Sequence, residues 1–186
     1  REVRVDVTRM RKAALAHEAR EALEHLLAIG RRRHRVVLAG EQQRGLVALH
    51  RLVEVGRANK DVVVGDADLT KSTMTTYFAK EFPDRFFECG IAEANMTAIG
   101  AGLAAAGKLP FISSFSCFAM NKGFEQLRVT VAYPNLNVKV VGTHSGISIG
   151  EDGPSQMSIE EIGLACSLPG FVVLSPSDEV ATRALV

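Results

Sequence analysis

No stretch of this sequence approaches the roughly 18–20 consecutive apolar residues that a membrane-spanning helix needs. The opening Arg1-Glu2-Val3-Arg4 has no apolar signal-peptide core, so neither export nor membrane insertion is expected. Cysteine is scarce: Cys89, Cys117 and Cys166 are odd in number and widely spaced, with no C-x-x-C pair. That pattern suits reduced thiols in a cytoplasmic protein better than a disulfide framework. His17, His25, His34 and His50 do not combine with carboxylates or cysteines at metal-ligand spacing, so no metal site is read from the chain. Internal repeats and low-complexity linkers are also missing.

What remains is the composition of an ordinary soluble globular chain, 47% hydrophobic and 23% charged over 186 residues. This length suits one α/β domain with a short extension. Charge is unevenly spread: residues 1–35 hold 10 Lys/Arg against 5 Asp/Glu, and the remainder hold 12 against 16. The basic excess peaks at Arg31-Arg32-Arg33-His34-Arg35. With no aromatic for base stacking and no nucleic-acid motif, it reads as a solvated segment, not a nucleic-acid or membrane contact.

Helical periodicity runs over 9–29 and again over 41–58. The pattern then changes. Asp61-Val-Val-Val-Gly65 is a short apolar run of the kind buried on both faces of a sheet. Strands are expected at 61–65, 86–88, 110–114, 137–143 and 171–175. Helices are expected at 72–81, 91–106, 117–132, 158–167 and 178–186, with Ser158-x-x-Glu161 as a capping box. Such alternation predicts an α/β fold, a mostly parallel sheet with helices on both faces. The loops following the strands then gather at one edge, where such folds bind ligands. Residues 1–56 read as a helical, basic N-terminal segment, and 57–186 as the ligand-binding domain.

Two suggestive strings carry no chemistry. Gly146-x-Ser148-x-Gly150 mimics a hydrolase elbow, but Glu151-Asp152-Gly153-Pro154 follows instead of a helix, and no histidine comes after His144. Gly100-x-Gly102 lies inside a helical stretch, where small residues let a helix approach its neighbour closely. The informative stretch is Arg85-Phe-Phe-Glu-Cys-Gly-Ile-Ala-Glu93-Ala-Asn95-Met96. A strand ends near Glu88, Gly90 permits a tight turn, and Glu93 falls in the first turn of a helix. Alone, such a glutamate only complements the helix dipole. Here the same edge also receives Asp68 and Ser72, Phe115 and Phe118, and the polar loop His144 to Gln156, which includes Asp152. An aromatic-walled slot with a carboxylate at its base suits a flat heteroaromatic ring.

These motifs, with Phe124-Glu-Gln-Leu-Arg128, Tyr133-Pro-Asn-Leu-Asn-Val138 and Gly150-Glu-Asp-Gly-Pro-Ser-Gln-Met157, resemble the pyrimidine domain of transketolases over residues 57–186. The resemblance implies that Glu93 hydrogen-bonds N1′ of the aminopyrimidine of thiamine diphosphate and shares a proton with it. It places Phe115 and Phe118 around the pyrimidine, and Asp68 near the thiazolium. Ser72 and His144 match groups at the sugar-phosphate end of the substrate, and Asp152 one that binds a substrate hydroxyl. Gln156 joins the cofactor-binding set, standing where many microbial relatives have histidine. Asn121 departs from a third aromatic common in those relatives. Cys89 and Cys117 read as buried structural thiols, and Arg128 as either a phosphate clamp or one side of an internal ion pair with Glu125 or another carboxylate.

The G-D-G…N-N segment that holds Mg²⁺ and the diphosphate in this family is absent. The chain also ends inside a helix, before the sheet's expected last strand. Half a site follows: either the chain is a fragment, or another domain or subunit brings the Mg²⁺–diphosphate half, in a homo- or hetero-oligomer. The implied activity is transfer of a two-carbon ketol unit between sugar phosphates. Deoxyxylulose-phosphate synthases and 2-oxo-acid dehydrogenase β subunits share the domain, although Asn95-Met96 and the Gly150–Met157 loop favour transketolase. A non-catalytic interaction domain is the other alternative.

Overall fold

The computed structural model describes residues 35–39, 42–147 and 149–186. Its elements run β1 (Arg35–Ala39), α1 (Gln42–Ala58), β2 (Val62–Asp66), α2 (Thr70–Thr73), α3 (Thr76–Glu81), β3 (Phe86–Glu88), α4 (Glu93–Ala105) and β4 (Leu109–Phe115). They continue as α5 (Ser116–Asn121), α6 (Phe124–Gln126) leading into a π-helical segment (Leu127–Ala132), β5 (Lys139–Thr143), α7 (Glu161–Ser167), β6 (Phe171–Leu174) and α8 (Glu179–Leu185). The expected helix over 9–29 lies outside the described residues.

Six strands form one sheet in the order β3-β2-β4-β5-β1-β6, and every pairing is parallel. Alternating strand residues face two hydrophobic layers, which is why the runs read as uninterruptedly apolar. Ile112 and Val140 join Met96, Leu127, Val131 and Ala165 on one face. Phe111, Val141, Val62 and Val64 join Leu52, Phe78 and the partly buried Leu185 on the other. Helices therefore cover both faces. The five foreseen strands all form, within two residues at each end.

A sixth strand was not foreseen. β1 pairs with β5 on one side and β6 on the other, with Val37 opposite Val140 and Val173. Val37 is 1% exposed, so the strand is interior to the sheet.

Three expected helices differ from the periodicity. The run 72–81 breaks at Met74, whose backbone is left-handed at φ 62°. Thr73 and Thr75 on either side both donate their hydroxyls to Asp66 Oδ2, at 2.6 and 2.8 Å, and these bonds turn the chain away from helix. The run 117–132 divides into α5, α6 and the π segment, where the Tyr133 N–H reaches back to Arg128 O. Ser158 does not form a capping box. Its N–H donates to Gly146 O, its hydroxyl donates to Glu161 Oε2 at 2.8 Å, and α7 starts only at Glu161. The real cap is at α8, where Asp178 accepts from the Ala181 N–H at 2.7 Å. Gly100 behaves as expected: a Cβ there would sit 3.0 Å from Ile112 Cγ2, so its absence lets α4 lie close on β4.

Candidate active site

All strands being parallel, the loops after β2, β3, β4 and β5 open at one edge of the sheet. The turn between β3 and α4 sets the first functional group. Gly90 takes φ +66°, and α4 begins at Glu93. Glu93 is 3% exposed, and its carboxylate accepts a hydrogen bond from Lys122 Nζ at 3.3 Å. A buried carboxylate at the start of a helix sits in the favourable end of the helix dipole.

The aromatic wall stands next to it. Phe115 is the last residue of β4, not a loop residue, and Phe118 follows on α5. Their rings stack at 5.8 Å with an interplanar angle of 18°. His144 continues the wall, its ring centroid 4.1 Å from that of Phe115 and its Nδ1 2.8 Å from Thr143 Oγ1. Burial pushes the His144 imidazole below its ordinary range, against the pull of the Asp152 carboxylate. His144 is thus held neutral near pH 7, with a ring that can donate or accept. Lys122 joins the two parts, since its ammonium lies 4.6 Å from the Phe118 ring centroid as well as on Glu93.

The loop residues are gathered by a small hydrophobic cluster at this edge. Phe115, Cys117 and Ile149 pack with Leu69, Phe118 and Met157, which ties together the loops after β2, β4 and β5. Asp68 and Gln156 are the chain neighbours of Leu69 and Met157 and are brought in with them. Cys117 Sγ donates to Gln156 O at 3.2 Å, and Ser155 Oγ bonds Gln156 Oε1. Asp68 has a left-handed backbone at φ 63°. Ser72 lies half-buried on α2 and makes no side-chain hydrogen bond among the described residues. Asp152 is exposed on a short 3₁₀ turn, Gly150–Asp152, and reaches His144 only through its field.

Three site features escaped the sequence. Glu88 Oε1 accepts from both the Asp68 N–H, at 2.8 Å, and the Gly90 N–H, at 3.0 Å. One carboxylate oxygen thereby couples the loop bearing Asp68 to the turn that presents Glu93. Asp66 is fully buried and organises the loop after β2 by accepting from the Leu69 N–H, Thr73 and Thr75. Lys122 belongs to no motif in the sequence; its place four residues after Phe118 was the available signal. Asn121 is held by Glu160 and does not extend the wall.

Cys117 is buried and Cys89 half-buried, and burial pushes both thiols up, which favours their protonated form. Arg128 pairs bidentately with Glu125, on the surface and not internally. Among the described residues, no cluster of three or more His, Cys, Asp or Glu is placed to hold a metal ion. No described helix is long and apolar enough to cross a membrane.

Residues 46–186 match the family model of the transketolase pyrimidine-binding domain. The chain belongs to the transketolase family. A Methanocaldococcus jannaschii protein named as a C-terminal section of transketolase is 50% identical over 135 residues, covering 73% of this chain and 43% of that protein. Human transketolase is 43% identical over 136 residues, covering 73% of this chain and 22% of its own length. The chain thus spans less than half of these relatives. Among solved structures, a split-gene transketolase in an inactive β4 tetramer superposes with a TM-score of 0.64 at 46% identity, covering 74% of this chain and 44% of that one. Transketolase from Leishmania mexicana gives 0.68 at 29% identity, over 75% of this chain and 22% of that one. The fold is accordingly the thiamine-diphosphate-binding type of the transketolase pyrimidine domain, and the family is one of transferases.

Proposed function

We propose that this chain supplies the aminopyrimidine half of a thiamine-diphosphate site that transfers a two-carbon ketol unit from a ketose phosphate to an aldose phosphate. The observation that carries the reading is the buried Glu93 carboxylate at the head of α4, beside the Phe115–Phe118–His144 wall. A flat ring with one basic nitrogen fits such a slot: the wall offers stacking faces and excludes water, while the carboxylate can hold a proton at N1′. Thiamine diphosphate, when bound, supplies the nucleophilic carbon and electron sink needed to break a carbon–carbon bond beside a ketose carbonyl.

This chain's residues would do the rest of the work on their half. Glu93 holds and returns the proton at N1′, and Phe115 and Phe118 orient the ring. Asp68 and Gln156 complete the cofactor side. Ser72, the neutral His144 and Asp152 take the substrate's phosphate and hydroxyl groups. The Mg²⁺ and diphosphate ligands are assigned to another domain or subunit. That division is supported by the names of two relatives, a split-gene transketolase and a C-terminal section of transketolase.

The test is Glu93→Gln in enzyme reconstituted with a diphosphate-domain partner. The amide preserves size and a hydrogen bond but cannot share a proton. Exchange of the cofactor's C2 hydrogen and ketol transfer should both fall by about 10²–10⁴-fold, with the far-UV circular dichroism unchanged. Wild-type exchange in the variant would reduce Glu93 to a helix-terminus charge.

A further inference from the structure

Lys122 touches the two groups that the proposed site reserves for the cofactor ring. Its ammonium is 3.3 Å from Glu93 Oε1 and 4.6 Å from the centroid of Phe118. The partners differ sharply in exposure: Glu93 is 3% exposed and the lysine side chain 50%. A buried carboxylate without a counter-charge is costly, and the ammonium supplies one from the solvent side. Its position over Phe118 adds a cation–π contact, and a cation on an aromatic face beside a carboxylate is also what a protonated pyrimidine would present.

The backbone fixes where this lysine starts but not where its charge must stay. Gly123, the next residue, packs so closely that a Cβ would lie 2.5 Å from Ala119 O and 2.9 Å from Thr97 Oγ1 on α4. Thr97 in turn donates to Glu93 O at 2.9 Å. Gly123, just after α5, is therefore pressed against Thr97, one turn beyond Glu93 on α4, and Lys122 leaves the backbone beside that contact. Four flexible methylene groups and half-exposure leave its ammonium free to swing outward.

We propose that Lys122 is an internal counter-ion of the slot, pairing with Glu93 and covering Phe118 until an aminopyrimidine ring displaces it. The inference rests on the pyrimidine reading of the site and adds a competitor to it. Ring affinity is set by the fraction of molecules in which Lys122 has already withdrawn, so removing the lysine tightens binding. Because the competitor is a charge pair, raising salt also favours the ring in the wild type and has little effect once the lysine is gone.

Two measurements on the full chain test this. Amine acetylation at Lys122, followed by peptide mass spectrometry without ligand, should speed up several-fold in Glu93→Gln. An unchanged rate overturns the counter-ion role whatever the slot binds. The second is ligand-observed NMR titration with thiamine diphosphate and with 4-amino-2-methylpyrimidine. Lys122→Met should bind both about three- to tenfold more tightly than wild type, and Lys122→Arg should match wild type. Equal or weaker binding to Lys122→Met, with circular dichroism confirming its fold, overturns the displacement while leaving the pyrimidine reading intact. Absence of binding to every variant at millimolar probe overturns the pyrimidine reading, and the displacement with it.

Discussion

Asp66 concentrates more polar contact than any residue given a direct role in the proposed chemistry. It ends β2, is fully buried, and accepts from two threonine hydroxyls and one backbone N–H, which shape the loop carrying Asp68 and Ser72. Burial pushes its carboxyl above the ordinary range; the bonds from Thr73, Leu69 and Thr75 oppose this, and the nearby Glu88 charge adds to it. A carboxyl with a raised folded-state pKa contributes stability that is fully present below its unfolded value of about 4 and is lost as pH rises through the folded value. Asp66→Asn has no such titration. Urea midpoints from pH 4 to 7 should therefore show wild type losing stability relative to Asp66→Asn as pH rises. A constant difference, or one that grows in favour of wild type, would show that the three hydrogen bonds outweigh burial.

Apart from α4, the helices near the site are short and interrupted, and the interruptions help to place the functional groups. The chain breaks between α2 and α3 because two threonines turn inward to Asp66. It breaks again after α5, where Gly123 lets the backbone lie against α4. A Cβ at Gly123 would meet the Ala119 carbonyl of α5 at 2.5 Å, which cannot rotate away, and the Thr97 hydroxyl of α4 at 2.9 Å. Gly123→Ala should therefore destabilise the chain by about 1–3 kcal/mol, the usual range for overpacking. It should also move Lys122 from Glu93, so Lys122 acetylation would rise along with the loss in urea midpoint. If the midpoint holds and labelling is unchanged, the α4–α5 contact is looser than described.

At the scale of the whole molecule, the slot is one-sided. Glu93, the aromatic wall and the loop residues share one edge, and the described residues bring no metal-holding cluster to it. Mg²⁺ binds a diphosphate through carboxylates and phosphate oxygens together, so ring contacts alone leave most of the cofactor's affinity unrealised. The isolated chain is expected to bind thiamine diphosphate weakly, without dependence on Mg²⁺, and to show no ketol transfer. Isothermal titration with and without Mg²⁺ checks this: tight, magnesium-dependent binding to the chain alone would place the diphosphate ligands within it.

Much of this architecture was legible because short-range patterns dictate it. Alternation of apolar runs with helical periodicity specified a parallel α/β sheet, and Gly90 ahead of Glu93 specified a tight turn into a helix. The order of the motifs put Asp68, Phe115, Phe118 and His144 at one edge, where the structure gathers them. Long-range partners had no such signature. Arg35–Ala39 follows an arginine run and was read as part of a basic segment, yet it pairs inside the sheet with strands about 100 and 136 residues away. The sequence assigns no role to Asp66, Glu88 or Lys122. Their roles depend on which backbone N–H, hydroxyl or carboxylate the fold brings within about 3 Å, and no local pattern encodes that. The sequence by itself determined the layers and the edge at which the loops gather; only the tertiary structure decided which charge faces which, because that choice is made by contacts between distant parts of the chain.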